Sequence, residues 1–243
     1  TITHREELLD KMEVSITNYL IQVSDQELNE GESRQVSELL KFISEYERIG
    51  DYSINILQCA QRIHEEEITL SKNAWAELDQ LEKCAGKALG VANDAFAAED
   101  AVLAAQVEPL EQAVDEMCDA LRERHIGRLK RGECSIEGGV VFLDVLTNTE
   151  RISDHCSNIA GRIVGMSADD LDFHPRKHSL LAGHDDEFNR QLDAARQTYL
   201  APLGISPEGG AARPFPALFC PIPPFFPAKA SLSRGFFLPR PRL

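Results

Sequence analysis

One phrase occurs twice in this chain. Glu47-Arg48-Ile49-Gly50-Asp51 is followed, three residues on, by Asn55-Ile56, and Glu150-Arg151-Ile152-Ser153-Asp154 is followed at the same distance by Asn158-Ile159. In each copy a Glu, an Asp and an Asn recur at intervals of four, which on an α-helix places them on one face, a turn apart. Each phrase is therefore a ladder of oxygen-bearing side chains. Like charges at that spacing repel by roughly 0.2–0.5 kcal/mol per pair. Setting up the same repulsion twice points to a cation that relieves it. The plain alternative is a solvated acidic face with Arg48 and Arg151 as counter-charges.

The repetition extends upstream. Leu9-Asp10-x-Met12 matches Val114-Asp115-x-Met117, and Glu6 and Glu111 each stand four residues before the aspartate. Each half of the chain thus carries two Glu-x-x-x-Asp pairs on consecutive helices, the mark of a duplicated helical hairpin. Short connections make consecutive helices antiparallel neighbours. Glu6 and Asp10 are then expected to face Glu47 and Asp51, and Glu111 and Asp115 to face Glu150 and Asp154. Four carboxylates between two helices suit a hard, oxygen-preferring cation. Asn55 and Asn158 are expected either beside the ligands as hydrogen-bonding supports or as partners to loop backbone, and His155 either at the ligand set, as a ligand or a support, or as a helix-surface residue. Gly50, which costs about 1 kcal/mol against Ala in a helix interior, predicts a close approach by the neighbouring helix.

Apolar residues at three- and four-residue spacing predict helix almost continuously as far as Leu200. The first runs through Leu8, Met12, Ile16 and Leu20. Ser33 is expected to open the second and Ser71 to cap the third. Pro109 should kink or restart the fourth, over 101–130. Ser135 to Val164 is the fifth, 165–183 reads as a loop carrying His174 and His178, and 185–200 is a shorter, polar sixth. Trp75 is expected to anchor a core or interface. From Gly204 the composition changes. Ten of the twelve prolines lie from Pro202 onward, with six phenylalanines and five bases against one acid after Gly204. That density predicts a disordered Pro/Phe-rich tail, an unrelated extension or the product of an altered reading frame.

The net charge of -15 argues against nucleic acid as a partner. Six cysteines without a Cys-x-x-Cys pair fit neither a disulfide scaffold nor a thiolate zinc site, and point to a reducing cytoplasm. No apolar run is long enough to span a bilayer, and no signal-peptide pattern is present. The chain opens on Thr1 rather than Met, so further sequence upstream is expected.

The phrases E-R-I-G-D and E-R-I-S-D-H-x-x-N-I-A resemble the signature of PhoU domains, the phosphate-uptake regulators, over roughly Glu6 to Val164. The wider pattern is most similar to the C-terminal cytoplasmic PhoU-like domain of bacterial sodium/phosphate cotransporters. The resemblance implies an all-α fold of two tandem antiparallel helical bundles related by a pseudo-twofold. It implies a multinuclear iron or zinc cluster on Glu47, Asp51, Glu150 and Asp154, with Glu6, Asp10, Glu111 and Asp115 completing the carboxylate sets. It divides the chain into a first repeat (1–66), a second repeat (70–165), a loop and C-terminal helix (166–203) and the tail (204–243). The first repeat lacks a leading helix, a place that 185–200 could fill. The implied role is a regulatory, non-enzymatic domain of a sodium-dependent phosphate transport protein. It would contact a membrane-embedded transporter portion at the cytoplasmic face of the inner membrane, with a homo-oligomer left open. A free-standing PhoU-type regulator of a transporter ATPase or sensor kinase is the alternative. A di-metal carboxylate enzyme is disfavoured because neither ladder carries the Glu-x-x-His pair of that class.

Overall fold

The computed structural model describes residues 2–169 and 186–205, and every regular element among them is helical. Both the tail from 206 onward and the histidines at 174, 178 and 184 lie outside the described residues. The helices are α1 (Ile2–Ser24), α2 (Glu30–Glu65), α3 (Lys72–Ala98), α4 (Ala101–Ala104), α5 (Val107–Lys130) and α6 (Ile136–Asp169). A further helix, α7 (residues 186–195), runs into a π turn at Arg196–Leu200 and a 3-10 turn at Ala201–Leu203.

Local chemistry sets most of the boundaries. Asn29, not Ser33, starts α2. Its Oδ1 accepts from the Glu32 N–H at 2.9 Å while its own N–H donates to Glu32 Oε2 at 2.9 Å, a reciprocal cap. Ser71 caps α3 by accepting from the Ala74 N–H, and Ser135 receives the Gly138 N–H at the start of α6. The expected 101–130 helix is interrupted. Asp100 caps the single turn of α4, and α5 restarts with Pro109 in its first turn, where a missing N–H costs nothing. α6 continues to Asp169, beyond the expected end at Val164.

Two cores organise the packing. In the first, α3, α5, α6 and α7 enclose Leu81, Met117, Leu121, Phe142, Leu146 and Leu200. The second joins α2 to the other half of the chain, with Phe42 and Ile49 of α2 packed among Val91, Ala92, Cys156 and Ile159. The small residues of α3, among them Ala85, Ala88 and Ala92, are buried and let its neighbours come close. α7 does not take the place of a third helix beside α1 and α2. It packs on α3 and α5, burying Leu192 and Ala195, and Arg196 forks onto Glu116 at 2.8 and 2.6 Å. Its apolar side completes the first core, which has no substitute for it. Trp75 is half exposed rather than a core anchor. Cys59, Cys84, Cys118 and Cys156 are buried thiols, and burial pushes Cys84 and Cys156 up to about 12.

Candidate metal centre

On α5, Glu111 and Asp115 lie one turn apart, and α6 brings Asp154 to them. The ligand oxygens of these three residues lie within 4.8 Å of one another. The approach of the two helices is fixed by fully buried Val114, Met117 and Leu121 on α5 and Phe142 and Leu146 on α6. The thiol of Cys118 also points to the carbonyl of Leu146 across the seam, at 3.7 Å.

The electrostatic cost of this arrangement is visible in the carboxyls themselves. Burial first, then the charges of Asp115, Glu108, Asp154 and Glu150, push Glu111 up to about 8. Asp115 is pushed up to about 6 by burial, Glu150, Asp154 and Asp119, with Arg122 pulling the other way. Asp115 Oδ1 is buried without a hydrogen-bond partner among the described residues. An orphaned, buried carboxylate oxygen facing two other acids is what a cation-binding set looks like before its charge is neutralised. Glu150, the fourth expected member, is drawn aside into an ion pair with Arg122, which also donates to Asp119 at 3.1 Å.

The α1–α2 set is looser. Glu6, Glu47 and Asp51 line an open cleft of about 550 Å³ with Arg48, Tyr52 and Asn55. Glu47 is raised by partial burial, by Asp51 through charge and a shared hydrogen bond, and by Asp10. Glu6 is raised by desolvation, then Asp10 and Asp51, so the four acids feel one another. Among the described residues, however, only the α5–α6 acids converge within 4.8 Å. Gly50 does mark a close approach: a Cβ there would stand 3.1 Å from Leu9 Cδ1 of α1.

The expected supporting residues divide. Asn55 lines the α1–α2 cleft and donates to Asn148 Oδ1 on α6 at 3.0 Å. His155 and Asn158 turn away from the acids of their own ladder and meet Glu45 of α2. His155 Nδ1 lies 2.6 Å from Glu45 Oε2, Asn158 Nδ2 donates to the same oxygen at 3.1 Å, and Arg162 donates to Oε1 at 3.2 Å. The His155 ring also stacks on Tyr52. These residues form the polar seam between α2 and α6. Sequence reading missed Glu45, although its register between buried Phe42 and Ile49 places it on the inner face of α2. It also missed the buried Glu77–Arg128 fork, at 2.9 and 2.7 Å, which ties α3 to α5.

A family model described as PhoU domain matches residues 1–60 and 78–163. A phosphate-specific transport system accessory protein PhoU homolog 1 of Thermotoga maritima is 31% identical over 134 residues, 54% of this chain and 56% of the relative. A phosphate-specific transport system accessory protein PhoU homolog of Streptococcus pneumoniae is 26% identical over 138 residues, 57% of this chain and 62% of the relative. The match thus spans somewhat over half the length of these curated relatives. Among solved structures, PhoU from Pseudomonas aeruginosa superposes with a TM-score of 0.65 at 22% identity, over 69% of this chain and 80% of that one. The phosphate transport system regulatory protein PhoU from Streptococcus pneumoniae gives 0.61 at 22% identity, over 71% and 80%. These two establish the likeness of the helical bundles.

Proposed function

The chain belongs to the PhoU domain family, and we propose that it is a non-catalytic regulator of phosphate transport that holds a metal ion between α5 and α6. The observation that carries this reading is the meeting of Glu111, Asp115 and Asp154, with Asp115 Oδ1 buried and unpartnered. These residues fit the group. An all-oxygen, anionic set suits a hard ion, which favours iron over the more nitrogen- and sulfur-seeking zinc. A bound cation would supply fixed positive charge. The protein's own part is to keep Glu111 and Asp115 on one face of α5, to bring Asp154 across on α6, and to hold Glu150 in reserve on Arg122. The acids Glu6, Asp10, Glu47 and Asp51 are a second, more open site of the same kind.

The relatives are named as accessory proteins of a phosphate-specific transport system. This favours a free-standing regulator that contacts phosphate-transport components over a domain attached to a sodium/phosphate cotransporter. No helix among the described residues is long and apolar enough to cross a membrane. In this reading, which rests on the relatives' names, the protein acts on a membrane-embedded partner by contact, at the cytoplasmic face.

Elemental analysis of protein purified without chelator tests the metal. We expect about one ion or more per chain, falling by at least half when Asp115→Asn and Asp154→Asn are combined. Metal content well below one ion per chain, or a content unchanged in the double variant, defeats the assignment.

A further inference from the structure

Glu150 belongs to the same ladder as Asp154, yet its carboxylate meets a guanidinium instead of the other acids. Arg122 Nη2 donates to Glu150 Oε2, and Arg122 Nη1 donates to Asp119 Oδ1 at 3.1 Å. Arg122 stands two turns along α5 from Asp115, on the same side of the helix. Glu150 still acts on the converging set. After burial it is the largest influence raising Asp115, ahead of Asp154, and Arg122 opposes it. One carboxylate thus has two prospective partners: the guanidinium that holds it, and whatever cation the acids of α5 and α6 receive.

This pair can open without stranding a charge. The Arg122 and Glu150 side chains are 28% and 27% exposed, and Asp119 is 79% exposed. If Glu150 leaves, the guanidinium keeps Asp119 and water. The Arg128–Glu77 fork in the same bundle is the contrast. Its side chains are 9% and 5% exposed, so opening it would leave the Arg128 guanidinium buried without its acceptors. In the α1–α2 set the position of Arg122 is uncharged. Its counterpart there, at an offset of 105 residues, is Thr17, whose hydroxyl donates to Glu13 at 3.3 Å. Glu47, the counterpart of Glu150, shares its hydrogen bond with Asp51 instead.

We propose that Arg122 is an internal competitor for the metal: Glu150 pairs with its guanidinium when the site is empty and turns to the ion when the site is filled, so that Arg122 sets how tightly the α5–α6 acids hold their ion. The inference rests on the reading of those acids as a metal site and concerns the regulation of that same site. Charge stays paired in both states. With Glu150 on Arg122, only Glu111, Asp115 and Asp154 face one another uncompensated. With Glu150 turned inward, a fourth carboxylate joins the set while Asp119 retains the guanidinium. Four free carboxylates would hold an ion more tightly than a set that must first give up an ion pair. The competitor therefore suits a metal that exchanges with its surroundings.

Anaerobic calorimetric titration with Fe(II) tests this on the full chain, with Glu47→Gln and Asp51→Asn in every sample so that the α1–α2 acids do not contribute. Arg122→Gln should tighten binding about tenfold while lowering the Tm of the metal-free protein, which loses the ion pair. Glu150→Gln should weaken binding, and adding Arg122→Gln to it should change the affinity by less than about twofold. A guanidinium that only braces α5 against α6 would give the other sign, weaker binding together with a lower Tm. Circular dichroism checks helix content, and Arg122→Met serves if Arg122→Gln loses it. Affinity unchanged or weakened on removal of the guanidinium overturns the inference. So does an equal gain in the Glu150→Gln background, which would mean that Arg122 acts by its charge through space and not by holding Glu150. Either of those results leaves the metal assignment standing, whereas no Fe(II) binding in parent and variants alike removes both.

Discussion

Replacing Glu111 with glutamine should make the metal-free protein more stable, not less, at neutral to alkaline pH. The glutamine keeps the size and shape of the side chain and removes only its capacity to ionise. In the folded protein the Glu111 carboxyl moves from its ordinary 4.5 to about 8. A raised value means that the folded state holds the proton more tightly than the unfolded chain. Stability is then intact below 4.5 and is lost progressively as pH climbs toward 8. At 1.36 kcal/mol per tenfold change in proton affinity, the full displacement corresponds to roughly 5 kcal/mol. Glu111 is only partly shielded from water, and screening reduces this to roughly 2 kcal/mol. Asp115, raised to about 6, adds a contribution of the same sign at lower pH. The assay is urea unfolding with chelator present at pH 5 and pH 8. The unaltered protein should lose stability between the two, and Glu111→Gln should flatten the difference, ending about 2 kcal/mol ahead at pH 8, or roughly 4–8 °C in Tm. Added iron should raise the Tm of the unaltered protein and do so less in the variant. A metal-free variant less stable than its parent at pH 8 would refute the reasoning. It would show that Glu111 is favourably bonded rather than repelled.

Two glycines should respond in opposite directions in thermal unfolding. A Cβ at Gly139 would stand 2.7 Å from Nε2 of buried His125, whose ring is stacked on Phe142, so Gly139→Ala should cost about 1–3 kcal/mol. Gly90 is exposed in mid-α3 with nothing near its Cβ position, and Gly90→Ala should gain about 0.5–1 kcal/mol. Glu45→Gln removes a charged acceptor from His155, Asn158 and Arg162 and should cost roughly 1–3 kcal/mol by urea unfolding at pH 7. Burial alone would raise the Glu45 carboxyl, but those hydrogen bonds outweigh it and lower the value. The stability it contributes is therefore present above the ordinary 4.5 and lost as pH falls through the lowered folded value, so the deficit of the variant should shrink in acid.

The placement of α7 and the fate of Glu150 show where sequence reading stopped. The polar face and short length of α7 say that it must dock one side, but not on which bundle. The choice falls to the unfilled apolar edge of the core around Leu81 and Leu121, and to Glu116, positioned to receive Arg196. Glu150 looks identical to Glu47 in its own phrase. What separates them is Arg122 on the neighbouring helix, whose counterpart 105 residues earlier is Thr17. That difference is written in the sequence, but it acquires meaning only once the two helices lie side by side.

The sequence alone determined the helices, the duplication, the faces carrying the acids and the close approach at Gly50, because each follows from a period of 3.6 residues and from contacts within one hairpin. The tertiary structure decided which acids converge, that Glu150 is paired with the Arg122 guanidinium, and which polar residues leave the ladders to build the α2–α6 seam. Those outcomes depend on distances between helices, set by the packing of buried apolar side chains far apart in the chain. A difference of a few ångströms there separates three converging carboxylates from an open acidic cleft.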